Sequence, residues 1–130
     1  MSIFGDGEQK RAFSYIDDCL DPLWKAGTQH NCSKQIINLG GTKFHTINEA
    51  NIILKDVIEG GDTIYLEERH EVKDAHPTFE KSVELLQYKD KTSLHDGLKE
   101  MWIWAQQQPN RARFHWGNYE LEKGIYEFWK

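Results

Sequence analysis

With 130 residues, 38% of them hydrophobic, the chain has the length of one typical domain and the means to bury a modest core. Its 21 acidic and 16 basic side chains leave a formal charge of -5, which argues against nucleic acid or anionic lipid as partners, so a small anionic ligand would need local positive charge. No apolar run approaches the roughly 20 residues of a membrane span, and the Met1 to Asp6 opening lacks the basic-then-apolar order of a secretion signal; a cytoplasmic location with no membrane partner is expected.

In chain order, Ser2-Ile3-Phe4 is short and apolar and runs into the turn signal Gly5-Asp6-Gly7, after which Ala12 to Ile16 alternates as a strand does. Asp17 and Asp18 are placed to cap a helix with the apolar stripe Ile16, Cys19, Leu20, Leu23 and Trp24, in which Pro22 is tolerable within the first turn and Gly27 is a stop. Cys19 and Cys32 suit neither a zinc site nor a disulfide framework, and both read as reduced thiols, Cys19 buried.

Gln35 to Leu39 is a compact apolar run, read as a second strand and closed by Gly40-Gly41. Thr46-Ile47-Asn48-Glu49 matches the capping box, predicting a helix through Ile47, Ala50, Ile53, Leu54 and Val57 that Gly60-Gly61 ends. Thr63 to Leu66 reads as a third strand, and 67–77 as a polar irregular loop. Phe79, Val83 and Leu86 share one helical face. Leu94, Leu98, Met101, Trp102 and Ala105 repeat that spacing in a longer helix capped by Ser93 and Asp96, and Leu121, Ile125, Phe128 and Trp129 mark a final helix.

The pattern predicts a single domain over 1–130 of α/β (α+β) class, a small partial sheet of about three short strands with about five helices. So few strands are poor company for one another, which points to a missing partner or to self-association.

The segment from Gly5 to Asp18, in which a glycine turn and Arg11 precede a strand leading into paired acids, resembles a stretch of the nucleotide-sugar epimerases. These are NAD-dependent epimerases and dehydratases of the extended short-chain dehydrogenase/reductase family, UDP-glucose 4-epimerase among them. Ile37-Asn38-Leu39-Gly40-Gly41-Thr42 with Ile47-Asn48-Glu49 is similar to that family's Asn-x-Gly strand end and capped helix. Arg69-His70-Glu71-Val72-Lys73 followed by Lys81, Leu85-Leu86, Ser93-Leu94, Gly97-Leu98 and Trp102-x-Trp104 resembles its closing section.

The resemblance covers almost the whole chain and implies the carboxy-terminal, substrate-binding part of such a protein, with two arginines clamping the diphosphate of a UDP-sugar or similar nucleotide. Arg11 and Arg69 are the matching positions, and a guanidinium fork suits phosphate oxygens. His76, seven residues after Arg69, stands where relatives often place an aromatic that helps hold the substrate.

Other readings stay open: Arg11 as a surface residue paired with Asp6 or Glu8, Arg69 paired with Glu67, Glu68 or Glu71, His76 as a solvated loop histidine, and Phe13 and Tyr15 as either pocket lining or core. The chain also departs from the family at Ala12, where many relatives have an acidic residue that orients the first arginine.

NAD binding in the family uses a Gly-x-x-Gly-x-x-Gly turn between a strand and a helix, and the short glycine pairs of this chain do not match it, so no cofactor is expected to bind here. The family's catalytic Tyr-x-x-x-Lys spacing occurs at Tyr119/Lys123 and Tyr126/Lys130, downstream of the substrate segment rather than upstream, and both read as accidental. No catalytic residue or metal ligand is assigned. The expectation is a truncated epimerase-like protein that retains a nucleotide-sugar segment and is inactive alone; the alternative is a stand-alone oligomerising interaction module. A homo-oligomer or a separate cofactor-binding chain is the expected partner.

Overall fold

The computed structural model describes residues 1–75 and 77–110. The expected terminal helix, His76 and both Tyr-x-x-x-Lys spacings lie outside the described residues.

Strand β1 (Ser2–Phe4) is followed by the glycine turn and by β2 (Lys10–Ala12), helix α1 (Ile16–Thr28), a single 3-10 turn at His30–Cys32, β3 (Phe44–Thr46), α2 (Ile47–Val57), β4 (Ile64–Leu66), β5 (Asp74–Ala75), α3 (Glu80–Leu86) and α4 (Leu94–Gln106). The mixed α/β class is as expected, with five strands among the described residues rather than about three. Two small sheets form. β1 pairs with β4 in parallel, Ile3 opposite Tyr65, while β2 lies between β3 (antiparallel) and β5 (parallel), placing Arg11 opposite both His45 and Ala75. Each described strand therefore has a partner, and the strands expected to stand alone do not.

Several boundaries differ from the sequence reading. β2 is the Lys10–Ala12 segment, ending where the alternating pattern had suggested a strand would begin, and α1 starts at Ile16. Gln35 to Leu39 is irregular, and β3 lies further on at Phe44–Thr46. Gly41 explains what closes that run: a Cβ there would overlap the main chain of Phe13, so only glycine lets the two backbones pass so closely. Thr42 then donates from its amide and its hydroxyl to Asp90 Oδ2 (2.7 and 2.8 Å), joining this crossing to the turn before α4.

α2 carries the expected capping box, with Glu49 N donating to Thr46 Oγ1 (3.0 Å) and Thr46 N to Glu49 Oε2 (2.9 Å). α4 begins on Ser93, whose hydroxyl oxygen accepts from Asp96 N. At α1 the expectation fails. Neither acid caps the helix; Tyr15 occupies the cap position, and Asp18 Oδ2 instead accepts from the main-chain N–H groups of Lys91 (2.9 Å) and Thr92 (2.7 Å). Pro22 sits in the second turn rather than the first, and it is buried.

The inner side of α1 is Asp18, Cys19, Pro22 and Lys25, and its apolar stripe faces outward: Ile16, Leu20, Leu23 and Trp24 are all more than half exposed, Trp24 at 73%. The core is correspondingly small, with Ile3, Cys32, Ala50, Leu86 and Tyr88 its buried apolar members among the described residues. Cys19, expected to be buried, is only half-buried, and Cys32 is buried. In α3 the inward positions are Ser82 and Leu86, while Val83 is about half exposed.

Candidate functional site

The site begins with the turn between β1 and β2. Gly5 and Gly7 both take positive φ (73° and 76°), conformations that glycine adopts freely. At Gly7 a Cβ would overlap Asn48 Oδ1. Asn48, the second residue of α2, is the anchor of the turn. Its amide donates to Gly7 O (3.0 Å) and its Nδ2 to Asp6 O (2.9 Å) and Glu8 Oε1 (2.7 Å), while its Oδ1 accepts from the Tyr65 hydroxyl (3.0 Å). The glycine turn is thus clasped to the start of α2, and β2 leaves it in a fixed direction.

That direction carries Arg11 toward the 67–73 segment. Its Nη1 donates to Lys10 O (2.8 Å), Val72 O (2.8 Å) and Lys73 O (3.4 Å), and its Nη2 faces Glu71 Oε2 at 3.4 Å. The register is closed by Lys10 N donating to Lys73 O (2.7 Å). Val72, Lys73 and Glu71 therefore hold the guanidinium that Ala12 leaves without an acidic neighbour in sequence. The ion-pair partner is Glu71, neither Asp6 nor Glu8.

Arg69 belongs to the same segment. Its guanidinium lies over the Phe4 ring, with Cζ 3.2 Å from the centroid, a stack that uses the planar, weakly hydrated cation against an aromatic face. Its carbonyl accepts from Glu71 N (2.8 Å). Beside it is a cavity of about 70 Å³, bordered by Arg69, Lys73 and the acidic residues Asp6, Glu8, Glu68 and Glu71. That is room for about two waters, and the rim carries more negative than positive charge.

Arg11 thus reaches from β2 to Glu71, Val72 and Lys73, close in sequence to Arg69, whose own guanidinium lies over Phe4 of β1, while His76 lies outside the described residues. Sequence reasoning missed Asn48 as the clasp of the turn and Glu71 as the partner of Arg11. The signal for Asn48 was its place beside the capping box; for Glu71 there was none, because the pairing spans 60 positions.

Phe13 and Tyr15 line a second, largely apolar cavity of about 260 Å³ with Leu94, Gly97, Leu98 and Met101, and neither belongs to the buried core. Tyr88, buried nearby, has its phenol pushed up to about 12 by burial and by Asp90, so it stays neutral near pH 7 and is no general base there. No group of three or more metal-ligating side chains occurs among the described residues, and none of their helices is long and apolar enough to cross a membrane.

No protein-family model matches the chain. It is 28% identical over 100 residues to an uncharacterised UDP-glucose epimerase of Bacillus subtilis, covering 75% of this chain and 32% of that protein. It is 33% identical over 117 residues to a UDP-glucuronate 4-epimerase of Thermodesulfobacterium geofontis, covering 82% and 33%. Among solved structures, the UDP-glucuronic acid 4-epimerase of Bacillus cereus in complex with UDP-glucuronic acid and NAD superposes with a TM-score of 0.74 at 33% identity, over 82% of this chain and 35% of that one. The chain matches one part of an NAD-dependent epimerase/dehydratase of the extended short-chain dehydrogenase type. It spans about a third of the length of the curated relatives it matches.

Among the described residues no glycine-rich turn leads from a strand into a helix. A dinucleotide pyrophosphate is held where a strand passes through a glycine-rich turn into a helix, using free amides at the helix start. Here the glycine turn after β1 leads to another strand, and the start of α2, entered from β3, is closed by its own capping box.

Proposed function

We propose that this chain is the carboxy-terminal, sugar-nucleotide-binding part of an epimerase-like protein, retaining contacts to the diphosphate of a UDP-sugar and catalysing nothing on its own. The observation that carries this reading is that Arg11, from β2, is held against Glu71 and Val72, two and three residues along the loop from Arg69, whose guanidinium lies over Phe4. Two guanidinium forks from separate elements are suited to two phosphate groups, and His76 is the proposed third contact. NAD and the catalytic residues belong, on this reading, to the other part of the family's fold, which the described residues do not contain.

The test is calorimetric titration of the chain with UDP-glucose and with NAD at low salt, beside Arg11→Ala and Arg69→Ala. UDP-glucose is expected to bind, NAD not, and each substitution to weaken binding at least about tenfold, the loss expected for a charged hydrogen bond to phosphate. No heat with UDP-glucose, or binding unchanged in both variants, would refute the reading.

A second reading, an oligomerising interaction module, is favoured by one observation: the apolar stripe of α1 lies outward, uncovered by any described residue of its own chain. The aromatic tail that also suggested it lies outside the described residues.

A further inference from the structure

Arg11, assigned above to an anionic ligand, already faces an anion of its own chain. Its Nη1 is turned to the main-chain oxygens of Lys10 and Val72, both at 2.8 Å, leaving Nη2 as the edge that meets a carboxylate. That carboxylate, Glu71, stands at 3.4 Å, longer than the roughly 2.7–2.9 Å of a tight charge-assisted bond, and both side chains are partly open to solvent. Glu71 sits in the irregular stretch between β4 and β5, so its side chain can move without breaking a strand or helix. It also borders the cavity beside Arg69.

We infer that Glu71 is an internal competitor for a nucleoside diphosphate: it holds Arg11 in the free chain and is displaced when phosphate oxygens take the guanidinium. This rests on the nucleotide-sugar reading above. A diphosphate and a carboxylate present the same kind of acceptor to the same edge of the fork, and they cannot both occupy it. Like-charge repulsion between the two adds to the effect, because Asp6, Glu8 and Glu68 already make the rim acidic. The ion pair therefore lowers affinity in proportion to its own strength.

The experiment is calorimetric titration of UDP-glucose into the full chain, Glu71→Gln and, as a control for rim charge alone, Glu68→Gln, which borders the same cavity. The fold of each variant is checked by circular dichroism. Glu71→Gln is expected to bind about two- to fivefold more tightly, the range set by a partly exposed ion pair, and Glu68→Gln to gain less. Unchanged or weaker binding in Glu71→Gln makes the carboxylate a support for Arg11 and overturns the inference, as does an equal gain in both variants. If the wild type binds and Glu71→Gln shows no gain, only this inference falls; if neither binds, the nucleotide-sugar reading falls with it.

Discussion

Gly7 shows how much a single position constrains the site. Its positive φ and the absence of room for a Cβ beside Asn48 act together, so alanine there would have to strain the backbone and push away the side chain that clasps the turn. Gly7→Ala is expected to cost about 1–3 kcal/mol, measured by urea denaturation, and to weaken UDP-glucose binding because β2 and Arg11 leave the turn in a different direction. A variant as stable as the wild type would show that Asn48 yields easily. The glycine was legible in the sequence as a turn signal, whereas its opponent was not, because Asn48 lies 41 positions away and meets it only through the fold.

Among the elements, α1 is the one whose role changes between sequence and structure. Its first-turn acids suggested a helix cap, yet Asp18 ties α1 to the turn that starts α4 through the N–H groups of Lys91 and Thr92. Burial opposes ionisation of this carboxyl, but the amide and hydroxyl of Thr92, the amide of Lys91 and the Lys91 charge outweigh it and hold the group below its ordinary 3.8. A lowered folded pKa means that ionised Asp18 stabilises the fold above the ordinary value, and that this contribution fades as pH falls through the folded pKa. Asp18→Ala is expected to cost about 1–2 kcal/mol at pH 7, discounted for partial exposure, with the gap to wild type narrowing below about pH 4. Urea midpoints at pH 7 and pH 3 check both; a gap that does not narrow in acid would assign the loss to packing instead.

At the scale of the whole molecule, the outward stripe of α1 and Met101 and Trp104 of α4 are exposed apolar surface among the described residues, the kind that marks interaction sites when it is contiguous. A second copy is one cover that such surface could find. Sedimentation velocity is expected to show concentration-dependent association of the wild type, reduced in the Leu20→Ser, Trp24→Ser double variant. A wild type that stays monomeric over the accessible concentrations would refute self-association.

What the sequence determined by itself was mostly local: the capping box at Thr46, the Ser93 cap, the helices they start, and the glycine turn. Each of these follows from residues within about one turn of one another, where propensity and short hydrogen bonds decide the outcome. The tertiary structure decided the rest. Which segments became strands depended on pairing partners far away, so Lys10–Ala12 and Phe44–Thr46 won over the more apolar Gln35 to Leu39. Which face of α1 turned inward depended on Asp18 and Lys25 finding main-chain partners in the 86–92 stretch, against the pull of its apolar stripe. The pairing of Arg11 with Glu71 likewise exists only once β2 and β5 lie side by side, because strand register brings together residues that no spacing rule connects.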